Sequence, residues 1–540
     1  MGAVLTALAL SVYAHATVTI LPEDDAYITY RYVLNLVGGN GLVYNPGERV
    51  FGATTPLYAL WLSALKLAFP AFDVPDLAVR SNVVFHVAAA AALAALVHAY
   101  ARSRRLGLAT AALVLAHPGI LILSLDGMET MLFGGALLWS VWGLATDRLR
   151  LAAVLAGLSI LIRPEGVLAA AVVGLYCLVY RRRAIVTVAA LLALPVLVWS
   201  VFAILYYGTP VPHSIVAKRH LYRHPRGHAL RLVIDAIDRW TTNRRLWSFT
   251  ELRLILVGNL LQLAALGFYV LRTRNMNAWW VPPVLFGALV AFYSLANPQM
   301  FSWYFGSIWL LWLLTMVVGW SELGRRVGGE RGAAVAGSVV LLLLVAVSVD
   351  AYRPLLARGR VPDTYVADEY RHRVVEYREA AEWLNRTAPR QARVLAPEIG
   401  ALGYFAEARI LDSAGLVSPE ALPFLPVAGA GGVGAIPVGL VRASAPEYIV
   451  TLKVFAGHEL LGDPWFESQH EVVTRVPLRV PVWGSDEVLV FRRRTAPRAG
   501  PARGPRTPSG ARRRACPPAR RPGCPCSRRG RCAGRSRRRS

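Results

Sequence analysis

The chain has 540 residues, 55% of them hydrophobic, and a mean hydropathy of +0.42, which excludes a soluble globular protein and leaves a polytopic membrane protein. Its formal charge of +26 looks like a nucleic-acid signal, but fifteen of those charges are arginines at 496–540, where no acidic residue occurs, and the rest of the chain carries +11. Nucleic acid is therefore not an expected partner, and much of the remainder falls in loops between spans, as the positive-inside tendency requires.

In chain order, apolar runs predict spans near 3–20, 56–70, 79–100, 107–124, 128–146, 151–180, 184–206, 252–271, 278–296, 301–320 and 332–349, roughly eleven at about 20 residues per membrane helix. The first run has no basic start and no small-residue cleavage site, so it reads as an uncleaved span. The run 151–180 is interrupted by Arg163-Pro164-Glu165-Gly166, which predicts a broken or re-entrant helix. Orientation meets a conflict. A cytoplasmic amino end puts Asp24 outside and, by alternation, Arg102-Ser103-Arg104-Arg105 outside too, against the positive-inside tendency. The short run 56–70 is the one whose full crossing is in question.

After about residue 350 the pattern changes to charged helical stretches and short β-type runs: 378–386 as a helix, and 393–396, 409–411, 447–452 and 487–492 as strands. Residues 351–494 thus form a small α/β domain, on the same side as Asp24 if the number of spans is odd. Asn385-Arg386-Thr387 fits a glycosylation sequon that is common by chance. Residues 495–540 are Arg/Pro-rich low complexity and are expected to be disordered; Cys516, Cys524, Cys526 and Cys532 lie there in no zinc-ligand spacing, and only Cys177 lies elsewhere.

The stretch 24–56, DDAYITYRYVLNLVGGNGLVYNPGERVFGATTP, is polar and doubly acidic between two apolar runs. Carboxylates beside hydrocarbon are costly and point to a site. Residues 25–36 predict a short interfacial helix closed by Gly38-Gly39, with Asp24, Tyr27, Arg31 and Asn35 on one face. Asp24 is equally readable as that helix's N-cap. Further polar islands stand at span ends: Asp126 to Thr130 with Glu129, Arg163 with Glu165, Tyr206 to Ser214 with His213 leading to Lys218, Arg219 and His220, and Asn297 to Tyr304 with Trp303. Singly each has a plain reading, as an ion pair, interfacial cations or an aromatic belt; together they argue for a shared cavity.

The string from Asp24 through Leu57 resembles the first external loop (here 21–55) of GT-C glycosyltransferases, most nearly the branch containing the mycobacterial terminal β-(1→2) arabinofuranosyltransferase. Gly127-Met128-Glu129-Thr130, Arg163-Pro164-Glu165-Gly166, Tyr207-Gly208 through Pro212 to Lys218, and Ala396 to Tyr404 followed by Asp412-Ser413-Ala414-Gly415-Leu416 are similar too. Phe51-Gly52-Ala53-Thr54 and Val211-Pro212-His213-Ser214 depart from the usual E-G-[YF]-[TS] and L-P-N-T. The resemblance covers roughly 1–495. It implies a GT-C-like transmembrane domain over 1–350 with an external α/β domain over 351–494. It also implies inverting transfer of a sugar from a polyprenyl-phosphate donor to an envelope glycan, lipid or protein acceptor outside the cytoplasmic membrane. In that reading Asp24 is the base and Asp25 orients a hydroxyl or Asp24 itself. Lys218, with Arg163, Arg219 or His213, faces phosphate, and Tyr27, Arg31, Asn35, Glu129, Glu165, Trp303 and Tyr304 complete the substrate set. No cofactor is called for, and a divalent cation stays open. A transporter or flippase for envelope precursors suits the broken helices as well, but explains neither the 24–56 stretch nor the outer domain; a non-catalytic glycan-binding assembly protein is the third reading.

Overall fold

A backbone in hydrocarbon has to satisfy its own hydrogen bonds, so the apolar runs fold as helices. In the computed structural model, which describes residues 2–17, 21–242, 252–358, 368–430 and 434–494, these are α1 Gly2–Thr17, α2 Asp24–Val37, α3 Pro56–Ala68, α4 Val74–Ala101, α5 Arg104–Ala116, α6 Pro118–Leu125, α7 Thr130–Ala145, α8 Leu149–Ile162, α9 Gly166–Tyr180, α10 Ile185–Tyr207, α11 His213–Leu221, α12 His228–Thr242, α13 Leu252–Thr273, α14 Val281–Ala296 and α15 Phe305–Arg358. The disorder expected of the tail lies outside the described residues. Among the described helices, Val74–Ala101, Arg182–Tyr207 and Ser302–Val345 are long and apolar enough to cross a bilayer, and the pair α5–α6, bent by 58°, is a fourth candidate. Within α15 the helix breaks at Gly328 and Gly329 (φ +59°). The chain folds back there, with Gly324 packed on the Gly332 carbonyl where a Cβ has no room.

The turns sort to opposite ends of this bundle. At one end Arg181 pairs with Asp147 at 3.0 Å, Tyr176 lies 6.4 Å from Trp280, Tyr100 donates to the Ala278 carbonyl, and Arg325 to that of Ala101. At the other end Glu23 N–H reaches Asp126, Tyr30 the Gly127 carbonyl, Tyr207 the Leu42 carbonyl, and Arg163 the Trp303 carbonyl. The arginines at 102–105, 148–150, 181–183 and 325–331 therefore share the first end.

Two expectations about spans change accordingly. Run 56–70 becomes α3, which returns to the end it started from: Thr55 faces Thr29 at 3.4 Å, and Val74, after α3, bonds to Tyr404 through its backbone. Run 151–180 is α8 and α9, separated by the Arg163–Glu165 break. Removing one crossing at 56–70 lifts the conflict over Arg102 to Arg105.

The α/β domain comprises α16 Asp368–Thr387, β1 Arg393–Ala396, α17 Ala401–Phe405, β2 Arg409–Asp412, β3 Tyr448–Leu452, β4 His470–Val482 and β5 Ser485–Arg493. Its sheet runs β2-β1-β3-β5-β4. β1 is parallel to β2 and β3, and β5 is antiparallel to β3 and β4. Strand β4 was not expected; Pro477 and Pro481 argue against a strand, and are tolerated because β4 is an edge with a register shift between Pro477 and Val482. The other edge, β2, is covered by the side chain of Asn45, which donates to the Ile410 carbonyl (2.9 Å) and accepts from Ile410 N–H (3.2 Å).

Apolar packing joins α2 to this domain. Tyr27, Tyr30, Tyr32, Val33 and Tyr58 lie in one core with Val394, Leu395, Ile410 and Ile449, whereas the bundle has its own, around Leu93, Val114, Leu138 and Leu313.

Candidate active site

α2 begins where the apolar amino-terminal run ends, and the two acids fall in its first turn, where the helix dipole favours negative charge. Its N-cap is Glu23, not Asp24, and that cap makes no side-chain bond. Glu23 instead meets Arg371 of α16 at 2.9 Å. Asp24 does cap a helix, but a different one. Its Oδ1 accepts Ala401 N–H (2.8 Å) and its Oδ2 accepts Gly400 N–H (3.2 Å) at the start of α17. Gly400 sits so close that any Cβ would strike the Asp24 backbone. Burial pushes the Asp24 carboxyl up to about 7, against the pull of Arg373 and the Ala401 N–H and helped by Glu398 and Asp25.

The rest of the expected substrate face has the same fate. Arg31, 7% exposed, donates to the carbonyls of Tyr44, Gly403, Ala406 and Ala408 and to Asn45 Oδ1. Asn35 donates to the carbonyls of Val43 and Tyr44, and Tyr27 packs edge-on to Tyr30 and Tyr404. Asp24, Tyr27, Arg31 and Asn35 do share a face, and that face meets the α/β domain and the loop after α2: Asp24 and Arg31 bond to backbone groups of 400–408, Asn35 to the carbonyls of 43 and 44, and the Tyr27 ring packs on Tyr404.

Asp25, one residue on, points elsewhere and is only partly buried. It belongs to an electrostatic cluster with Lys218, Tyr222 and Tyr304. Desolvation opposes the Lys218 charge, yet Tyr304, Asp25 and Tyr222 together hold its pKa above the ordinary lysine value, and Tyr304 also hydrogen-bonds to it. Glu398, anchored by Arg373 (2.6 Å) and Tyr377 (2.8 Å), acts on Tyr222 from the α/β side.

Behind Tyr304 lies a second layer. The Arg163 guanidinium sits 4.7 Å over the Tyr304 ring, 3.4 Å from Glu165 and 3.7 Å from Glu129, with Tyr293 donating to Glu165 at 2.8 Å. Burial raises the Glu129 pKa against the opposing charges of Arg163 and Lys218. The loop carrying Glu129 is itself held by Tyr30 and Tyr58 on the Gly127 carbonyl and by Asn82 on that of Met128. Gly127 has φ +77° and abuts the Tyr30 hydroxyl, so a side chain has no place there.

The structure thus brings together Asp25, Glu129, Arg163, Glu165, Lys218 and Tyr304. Trp303 contributes its carbonyl to Arg163, and its ring stacks on Phe301 at 4.7 Å. Arg219 is exposed, apart from the cluster. His213 faces the α/β domain through Gly415 and Glu420. Sequence reasoning missed Tyr222, Tyr293 and Glu398; Tyr222 had a signal, lying four residues after Lys218. Among the described residues no three His, Cys, Asp or Glu side chains converge as a metal site would.

A family model described as "Domain of unknown function (DUF8728)" matches residues 364–491. No curated protein sequence matches the chain significantly. Among solved structures, the chain is similar to ArnT from Cupriavidus metallidurans in the apo state, with TM-score 0.53 and 12% identity over 90% of this chain and 96% of that one. It is similar to the same protein bound to undecaprenyl phosphate, with TM-score 0.51 and 12% identity over 90% and 97%. The arabinofuranosyltransferase AftD from Mycobacteria aligns at TM-score 0.47 and 15% identity, over 91% of this chain and 39% of that one. The fold is that of a GT-C-like, α-helical polytopic membrane protein with a small carboxy-terminal α/β domain.

Proposed function

We propose that the chain is an integral-membrane glycosyltransferase that moves a sugar from a polyprenyl-phosphate donor to an envelope acceptor, on the outer face of the cytoplasmic membrane and with inversion. The observation that carries this reading is the Asp25–Lys218–Tyr304 cluster at the end of an apolar bundle, in a fold whose solved neighbour ArnT binds undecaprenyl phosphate. The arginine-rich turns lie at the opposite end, and cations favour the cytoplasm, which supports an outward-facing site.

Asp25 is the better base than Asp24. Both Asp24 oxygens already accept backbone N–H groups, while Asp25 is only partly buried and is electrostatically coupled to Lys218. In the transfer, the acceptor O–H proton passes to Asp25 as its oxygen bonds to the anomeric carbon. The bond from that carbon to the phosphate oxygen breaks on the opposite face, and the electron pair leaves with the phosphate. Lys218, kept protonated by its surroundings, stabilises that charge. Arg163, already between Glu129 and Glu165, orders the wall formed by Tyr304 instead of meeting phosphate first.

The test is incubation of the full chain, reconstituted in lipid, with a panel of polyprenyl-phosphate sugars, arabinofuranose included. Consumption of one donor with release of polyprenyl phosphate is expected. Inertness toward every donor, together with movement of a lipid-linked sugar between leaflets, would overturn the reading in favour of transport.

A further inference from the structure

Beyond Lys218, α11, α12 and the loop between them carry a charge pattern that the transfer site does not use. Residues 213–237 contain Lys218, Arg219, Arg223, Arg226 and Arg231 and four histidines, against Asp235 alone. Arg219, Arg223, Arg226 and Arg231 are exposed. This segment lies at the end of the bundle that holds the site, away from the arginine-rich turns: Asn297, at the carboxy end of α14, donates to the His224 and Pro225 carbonyls and accepts Ala229 N–H. So many cations run against the tendency that puts them at the other end.

The same segment exposes apolar side chains. On α12, Ala229, Val233 and Ala236 face inward, while Leu230 and Ile234, one turn apart, are 39% and 49% exposed, and Leu295 beside Asn297 is 86% exposed. A surface with bare leucine and isoleucine next to arginine fits the boundary between acyl chains and headgroups, not open water. A single lipid phosphate needs one or two cations, whereas these are spread from α11 through the loop into α12.

We propose that residues 219–234 form a docking surface for anionic phospholipid headgroups in the leaflet on the side of the site. Arginines of the 219–231 segment contact the phosphates, and Leu230 and Ile234 enter the acyl region. The surface would hold α11, and with it Lys218, at a fixed depth. The surface is distinct from the transfer site, and its test reads lipid contact without turnover.

The test uses the full chain in phosphatidylcholine vesicles containing a trace of photoactivatable phosphatidylglycerol or, in parallel, photoactivatable phosphatidylcholine. Peptides from 213–237 should take up the glycerol probe at least about tenfold more than the choline probe, since each arginine near a charged surface contributes appreciably. High salt should narrow the gap. Replacing Arg223, Arg226 and Arg231 together by Gln should bring the glycerol probe down to the level of the choline probe, with choline labelling unchanged as the check on folding. Equal labelling of the wild-type chain by the two probes would overturn the proposal without recourse to any variant.

Discussion

Two adjacent aspartates with opposite surroundings make the sharpest test. Asp25→Asn keeps the size of the side chain and removes the proposed proton acceptor, the carboxylate coupled to Lys218. General-base assistance is worth about 10²–10⁴ in rate, or about 3–5 kcal/mol of barrier. Asp24→Asn acts on docking instead. Its amide oxygen can keep the 2.8 Å bond from Ala401 N–H, and only the 3.2 Å bond from Gly400 loses its acceptor. Leaving that buried N–H without an acceptor costs about 1–3 kcal/mol, and the neutral amide escapes the desolvation that raises the Asp24 pKa. Docking through Arg31 and the Glu23–Arg371 pair should outlast that loss, so turnover of Asp24→Asn is expected within about tenfold of wild type. The assay is donor consumption by both variants in lipid, beside hydrogen exchange of the 399–405 amides. Abolished turnover in Asp24→Asn with those amides still protected, or near-normal turnover in Asp25→Asn, would refute the assignment and return the base to Asp24.

Arg31→Ala should loosen the α/β domain, because the carbonyls of Gly403, Ala406 and Ala408 lose a charged donor at about 1–3 kcal/mol apiece; limited proteolysis within 368–494 reads the effect. Burial raises Asp24 and Asp412 to about 7 from 3.8. The folded form therefore holds these protons more tightly than the unfolded form, and their contribution is full below pH 3.8 and lost as pH rises through about 7. Thermal unfolding of the domain should accordingly fall from pH 5 to pH 8, with a shallower slope in Asp24→Asn. Cysteines placed at 47 and 459 should react with an impermeant label from one side and a cysteine at 148 from the other. Deleting 496–540 should leave insertion and turnover near wild type, measured by the same donor assay.

Much of the local structure was legible. The helix after the two acids, its glycine stop, the break at Arg163 to Gly166 and most of the strands follow from periodicity and punctuation, since these depend on neighbours in sequence. What a face meets does not. Helical spacing aligned Asp24, Tyr27, Arg31 and Asn35 correctly, but the amides that Asp24 binds lie 376 and 377 residues away, and no local pattern announces them. Hence a docking face reads like a substrate face: both are polar, both are buried, and both occur beside apolar runs. Strand β4 was hidden because its prolines carry the signature of a loop, and only its edge position makes them harmless. Tyr293 sits mid-run in an apolar span and becomes visible only when Glu165 is brought to it.

The amide of Asn45 on strand β2 has a consequence for how this protein divides into parts. A sheet edge is a row of unpaired donors and acceptors, ready to recruit any other strand. Here the cover for that edge is supplied from 365 residues upstream, and the carbonyls after α17 are likewise met by Arg31. The stretch at 364–491 that matches a family model is accordingly an incomplete unit of folding. Excised, it would present a sticky margin; grafted onto another membrane bundle, it would need the host's loop to carry an Asn and an Arg at matching heights. Exchange of such outer domains between bundles should therefore travel with the short interfacial helix, and not at the boundary where hydropathy changes.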